Sequence, residues 1–202
     1  ATLDLGPATR GSRGYLAIAG GLEVDSVLGS RSTYVRAALG GIEGRALRAG
    51  DELAVAEGAR AARGHWHIDE RILPAYSAAP ELRVLRGAQA DQLGDTLFTA
   101  SFRVTPQSDR MGVRLHGPTL VRSTTTELVS AAVLPGTVQV PPDGQPIVLM
   151  ADAQTLGGYP QNAHVISADL PLLALLRPGD AVRFREVSLD EAHRLALARE
   201  RA

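Results

Sequence analysis

Two polar loops joined by a short apolar run carry the residue types best suited to chemistry. The first reads Gln139-Val140-Pro141-Pro142-Asp143-Gly144-Gln145-Pro146. The second reads Asp152-Ala153-Gln154-Thr155-Leu156-Gly157-Gly158-Tyr159-Pro160, and Ile147 to Met150 connects them. Each loop holds an Asp and at least one Gln. Asp152, Gln154, Thr155 and Tyr159 offer mixed donors and acceptors, and a Gly157-Gly158 pair lets backbone N–H groups come close to a ligand. Pro142-Asp143-Gly144 also reads as a plain turn, with Asp143 capping its own backbone. A four-residue strand spans roughly 13 Å, so the loops are expected at its two ends unless the strand bends.

A second cluster is Ser108-Asp109-Arg110-Met111-Gly112-Val113-Arg114-Leu115-His116. In an extended chain Arg110, Arg114 and His116 share a parity, so they can line one face that suits a carboxylate or phosphate. The same spacing also describes a solvated arginine face whose stems pack on neighbours. Ser30-Arg31-Ser32-Thr33-Tyr34 is a third, weaker polar loop. His65-Trp66-His67 puts two imidazoles on one face of a strand but has no third ligand nearby, and no metal site is expected. Asp69 and Glu70 read as solvated charges.

Composition narrows the chemistry. The 202 residues include no cysteine, which removes thiolate catalysis, disulfides and Cys-ligated metals. All 21 basic residues are arginine, so there is no Schiff-base lysine, no P-loop lysine and no biotinyl-lysine carrier on this chain. A net charge of −1 speaks against nucleic acid as the main partner. No signal peptide and no apolar run near ~18 residues is present, and a soluble cytoplasmic protein is the default. The sequence starts at Ala1 without an initiator Met, as expected of a fragment or a processed chain.

The elements that position these loops read as short strands. Dense glycine punctuation before Val55 favours strands and tight turns, with Tyr15 to Ala19 as one strand and Leu53 to Val55 ending another. Residues 1–55 are therefore expected to be part of a first β-unit, 56–80 a linker and 81–202 a barrel domain. Within the last, strands are expected at Leu82 to Leu85, Phe98 to Val104, Thr137 to Val140, Pro146 to Met150, Ala163 to Ala168 and Ala181 to Val187. A short helix is expected within Ala88 to Leu97. Val182 and Phe184 should face opposite to Arg183 and Arg185. Ser188-Leu189-Asp190-Glu191 is a capping box, which predicts a terminal helix from Leu189 to about Arg199. Leu47-Arg48-Ala49-Gly50-Asp51 recurs as Leu176-Arg177-Pro178-Gly179-Asp180, read either as the same hairpin in two β-units or as a common turn. The pattern is that of a barrel or sandwich.

Longer motifs carry a family likeness. Ser108 to Gly112 with Arg114-Leu115 and Gly117-Pro118, Glu127-Leu128 with Ser130, Pro135-Gly136, Gln139-Val140-Pro141, Asp143-Gly144, Pro146-Ile147 and Asp152 to Pro160 resemble the KipA family. Gly14 to Gly21 and Leu28 to Thr33 match as well, so the likeness covers essentially the whole chain. This family is also known as the C subunit of 5-oxoprolinase, allophanate hydrolase subunit 2, or subdomains A and B of a biotin-dependent carboxyltransferase. The resemblance implies a mainly β, cyclophilin-like barrel architecture with few short helices. It also implies relatives with a further segment ahead of Gly14, and a site built near the junction with a KipI-like partner, the 5-oxoprolinase B subunit.

The implied activity is ATP-dependent opening of 5-oxoproline to glutamate, completed by the 5-oxoprolinase A subunit, with the isolated chain inactive and ATP held by a partner. The first alternative is a urea-carboxylase-type carboxyltransferase that receives biotin on another protein. The second is a non-enzymatic regulator of the KipI-like partner. The expected catalytic groups are Asp152, Gln154 and Tyr159. The expected substrate contacts are Arg110, Arg114, His116, Gln139, Asp143, Gln145, Thr155, Gly157 and Gly158.

Overall fold

A computed structural model describes residues 1–9, 11–56, 69 and 73–201. Residues 14–67 form one compact unit, and residues 1–13 with 68–202 form another. Most of the segment expected as a linker, together with His65-Trp66-His67 and Glu70, lies outside the described residues.

The 14–67 unit is held by turns. Its described part contains one 3₁₀ turn, Val35–Ala37, and three isolated bridges, Leu22 with Val55, Val27 with Ser30 and Tyr34 with Leu39. The strands expected at Tyr15 to Ala19 and ending at Val55 are absent from these residues: Tyr15 is 96% exposed, and only Val55 makes a bridge. A strand needs neighbours for its N–H and C=O groups, and a local apolar or alternating pattern alone does not supply them. What fixes this unit locally is Asp51, whose two oxygens take Arg45 Nη1 at 2.8 Å and Nη2 at 3.0 Å. The Arg45 hydrogen bonds, then the Arg48 backbone N–H, draw the Asp51 pKa down to about 2.

In the other unit seven strands close a barrel in the order β1-β8-β5-β6-β3-β2-β9. These are β1 Glu81–Arg86, β2 Ser101–Val104, β3 Gly112–His116, β5 Thr137–Gln139, β6 Ile147–Leu149, β8 Gln161–Val165 and β9 Ala181–Glu186. Two further strands, β4 Ala131–Ala132 and β7 Leu156–Gly157, pair with each other as a separate two-stranded sheet. All barrel pairings are antiparallel except β1 with β9, whose parallel register sets Leu82 beside Phe184 and closes the ring. The mainly β barrel with a few short helices and a C-terminal helix agrees with the expectation from sequence.

Period-two alternation explains the core. Val113, Val148, Val138 and Ala163 lie in one cross-strand row, and all are buried. Phe102 and Phe184 meet edge to face with centroids 6.2 Å apart. Burying such side chains contributes roughly 1.5–3 kcal/mol each. Val182 and Phe184 point inward, and Arg183 and Arg185 outward, as the sequence indicates.

Two short helices, α1 Ala90–Leu93 and α2 Thr96–Thr99, replace the single helix expected before Leu97. The following strand starts at Ser101, not Phe98, because Asp95 O takes the N–H groups of Phe98 and Thr99 and keeps that turn helical. The strands expected to end at Met150 and Ala168 stop at Leu149 and Val165, and α3 Leu170–Ala174 follows β8. Helix α4, Leu189–Glu200, begins where the capping box places it, with Ser188 Oγ accepting the Glu191 N–H at 3.2 Å.

The repeated pentapeptide makes the same turn twice. Asp51 Oδ2 accepts the Arg48 N–H and Asp180 Oδ2 accepts the Arg177 N–H, both at 2.7 Å. Gly50 and Gly179 sit at φ of 92° and 93°, a left-handed conformation that glycine adopts without steric penalty. Only the second copy leads into a strand. One buried polar pin braces the barrel: Asp169, 1% exposed, accepts the Arg83 N–H at 2.7 Å and Nε at 2.9 Å.

Candidate functional site

The two polar loops meet. Strand β6 does separate them, but the second loop runs back over the outside of the barrel and enters β8, which pairs with β5. Gln139 therefore lies opposite Gln161, across a bulge at Val138 and Gln139. The Val140 N–H reaches Pro160 O at 3.0 Å, and Gln139 Nε2 reaches Tyr159 O at 3.4 Å. Gln139 is 2% exposed although it points away from the core, because the β4–β7 sheet covers it. Gly157 permits that cover: a Cβ there would overlap Gln139 Nε2. Gln161 Nε2 donates to Ala132 O at 3.2 Å and fastens the other strand of the cover.

A cleft of about 430 Å³ opens where the loops meet. Val140, Pro141 and Pro142 form one side, Tyr159 and Pro160 another, and Leu93 of α1 the floor. Thr119 to Arg122, with Thr124 and Thr125, form the remaining wall. That wall is anchored twice. Leu120 N–H donates to Gly144 O at 3.0 Å, and Ser123 N–H donates to Gln92 O at 2.7 Å. The size and the mainly apolar lining with a few polar groups are those of a small-molecule pocket.

Among the described residues Arg122 is the only cationic side chain lining the cleft. Its Nε donates to Gln92 Oε1 at 2.9 Å, while Nη2 is buried and has no partner. Sequence reading missed Arg122. The signal was an arginine opening a Ser-Thr-Thr-Thr run, which by itself is indistinguishable from a solvated loop.

The other sequence candidates divide clearly. Tyr159 lines the cleft, and Gln139 and Gly157 form the packed layer beside it. Asp152 does not reach the cleft lining. Its carboxylate holds Arg110 through Nε at 3.0 Å and Nη2 at 3.1 Å, a pairing set by β3 and β6 running antiparallel. Arg114 and His116 lie on the exposed face of β3, away from the cleft lining. Gln154, Thr155 and Gly158 are exposed. Asp143 caps its own turn by accepting the Gln145 N–H, and the Gln145 carboxamide grips the backbone of Gly117 from both ends. Ser108 and Asp109 are likewise turn groups, accepting the N–H groups of Arg114, and of Met111 and Gly112.

Two further polar features lie on β8, one half-buried and one buried. His164 Nδ1 is 3.2 Å from Thr137 Oγ1, and burial lowers the His164 pKa below the usual imidazole value. Both side-chain polar atoms of buried Asn162 have no partner. Among the described residues no group of three or more His, Asp or Glu is placed to hold a metal, and no helix is long and apolar enough to cross a membrane.

Known proteins share this architecture. The chain is 40% identical over 194 residues to the C subunit of 5-oxoprolinase from Escherichia coli, covering 94% of this chain and 61% of that protein. It is 42% identical over 197 residues to the C subunit of 5-oxoprolinase from Haemophilus influenzae, covering 96% and 62%. The chain thus spans about three fifths of the length of these relatives. The crystal structure of the K. lactis urea amidolyase superimposes with a TM-score of 0.78 at 27% identity, over 96% of this chain and 13% of that one. Residues 1–186 match the carboxyltransferase domain, subdomain A and B, so the chain, with its barrel and loop-lined cleft, belongs to that family.

Proposed function

We propose that this chain works as part of an ATP-dependent 5-oxoprolinase, in which the lactam of 5-oxoproline is opened to glutamate with hydrolysis of ATP. The observation that carries the reading is the convergence of the Gln139 and Tyr159 loops on one small cleft. The identity of 40% and 42% to two bacterial 5-oxoprolinase C subunits supports it. In the cleft the Tyr159 hydroxyl supplies a hydrogen bond to the ligand, and the threonine hydroxyls supply adaptable donors and acceptors. Asp152 and Gln154 stand outside this cleft. Their catalytic role is assigned to the junction with the KipI-like B subunit, in an assembly that the A subunit completes.

ATP is a co-substrate held by another subunit in this reading. The described cleft lining has a single cation, the chain has no lysine, and no glycine-rich phosphate loop is present in the sequence. The isolated chain is accordingly inactive. The test is reconstitution of the three purified subunits. Release of glutamate and phosphate from 5-oxo-L-proline and ATP, lost when this chain is omitted, is the expected result.

The match to the K. lactis urea amidolyase favours one second reading, a carboxyltransferase half acting on urea. Biotin would then arrive on another protein, since no lysine here can carry it. Carboxyl transfer from carboxybiotin to urea without lactam opening would establish that reading instead.

A further inference from the structure

Building on the assignment of the cleft to substrate, we infer that Arg122 binds the carboxylate of a small acid there, making the cleft selective for acids over neutral amides. Arg45, Arg83, Arg86, Arg110 and Arg185 each hold a carboxylate of this chain. Arg122 has only the neutral Gln92 carboxamide, on Nε, and its buried Nη2 has no acceptor. Guanidinium remains charged at any working pH, and a buried donor without a partner is rare in folded proteins. Among the described residues nothing accepts from Nη2, which leaves the place for a ligand of the cleft that Arg122 lines.

A carboxylate fits better than a phosphate. One planar fork can satisfy a monoanion with two parallel hydrogen bonds, whereas a phosphate usually recruits several cations or a nest of backbone N–H groups. Among the described residues no second cation lines the cleft, and Leu93, Leu120, Val140 and Pro160 enclose it with apolar surface. Gln92 holds Nε, so the guanidinium is oriented by the chain's own contacts before any ligand arrives.

The test compares two probes on the reconstituted complex without ATP, by calorimetry: 5-oxo-L-proline and pyrrolidin-2-one, the same lactam without its carboxylate. The wild type is expected to bind the acid about tenfold or more tightly than the neutral lactam. Arg122→Gln is expected to abolish that preference while leaving pyrrolidin-2-one affinity unchanged; if it does not fold, Arg122→Met, which keeps the apolar stem, takes its place with the same expectation. A wild type without preference, or a variant that retains it, would overturn the inference and leave Nη2 to an ordered water. An Arg122-dependent preference in a complex that releases no glutamate when ATP is added would uphold the carboxylate site and reject the 5-oxoprolinase reading.

Discussion

Gly157 rests against the Gln139 carboxamide so closely that an added methyl group would have to displace it. This contact lets the second polar loop lie flat on the barrel and deliver Tyr159 to the cleft. Gly157→Ala is expected to destabilise the fold by about 1 kcal/mol or more, since the buried Gln139 carboxamide must swing away from Tyr159 O to admit the methyl group. Gly158→Ala meets nothing closer than Ser130 Oγ at 3.6 Å and should change stability by less than about 0.5 kcal/mol. Urea unfolding of the two variants gives the comparison; equal stabilities would mean the loop is not packed as described.

Asp152 separates stability from activity. Its pair with Arg110 is exposed, so Asp152→Ala should cost under about 1 kcal/mol. If Asp152 acts in the reaction at the subunit junction, the same variant lowers turnover of the reconstituted complex by about a hundredfold or more. Full turnover would remove Asp152 from the site.

Asp169 is the opposite case. It is buried and serves both the backbone and the guanidinium of Arg83. Asp169→Ala leaves that charge without its partner and is expected to cost about 3 kcal/mol or more, seen as a lower thermal midpoint. A loss below about 1 kcal/mol would show that the pin is dispensable.

The depressed pKa of His164 gives stability a pH dependence. The folded state disfavours the charged ring, so the unfolded chain binds the extra proton first as pH falls. The contribution is therefore complete above the ordinary imidazole pKa of about 6.5 and is lost as pH falls through the lower folded value. An NMR titration of His164 should show its midpoint below that of a free histidine. His164→Gln should flatten the change in urea midpoint between about pH 7 and pH 5. A normal midpoint would mean that water reaches the ring freely.

Six of the seven barrel strands were legible from short apolar or alternating runs, as at Ala181–Glu186, while Gly112–His116 was read only as an extended stretch, and the terminal helix was legible because Ser188 and Glu191 mark its start. The first unit was not legible, because an apolar run closed by glycines, as at Tyr15 to Ala19, says nothing about whether a neighbouring strand is present. At the site, the sequence located both polar loops and Tyr159. It could not show that β5 pairs with β8, the long-range contact that brings Pro160 beside Val140. Arg114 and His116 lie off the cleft lining for a related reason. Parity set Arg114 and His116 on one face, but only the barrel decides which face meets the cleft. Arg122 gained significance only from Gln92, thirty residues away.

The cleft between Val140 and Tyr159 either holds the substrate or does not. A crystal structure of the reconstituted complex with 5-oxo-L-proline tests this most directly. Density for the lactam between Tyr159, Pro141 and Arg122, with its carboxylate on the guanidinium, is the expected result. Ligand bound instead along the Arg114 and His116 face, or wholly within another subunit with this cleft empty, would contradict it.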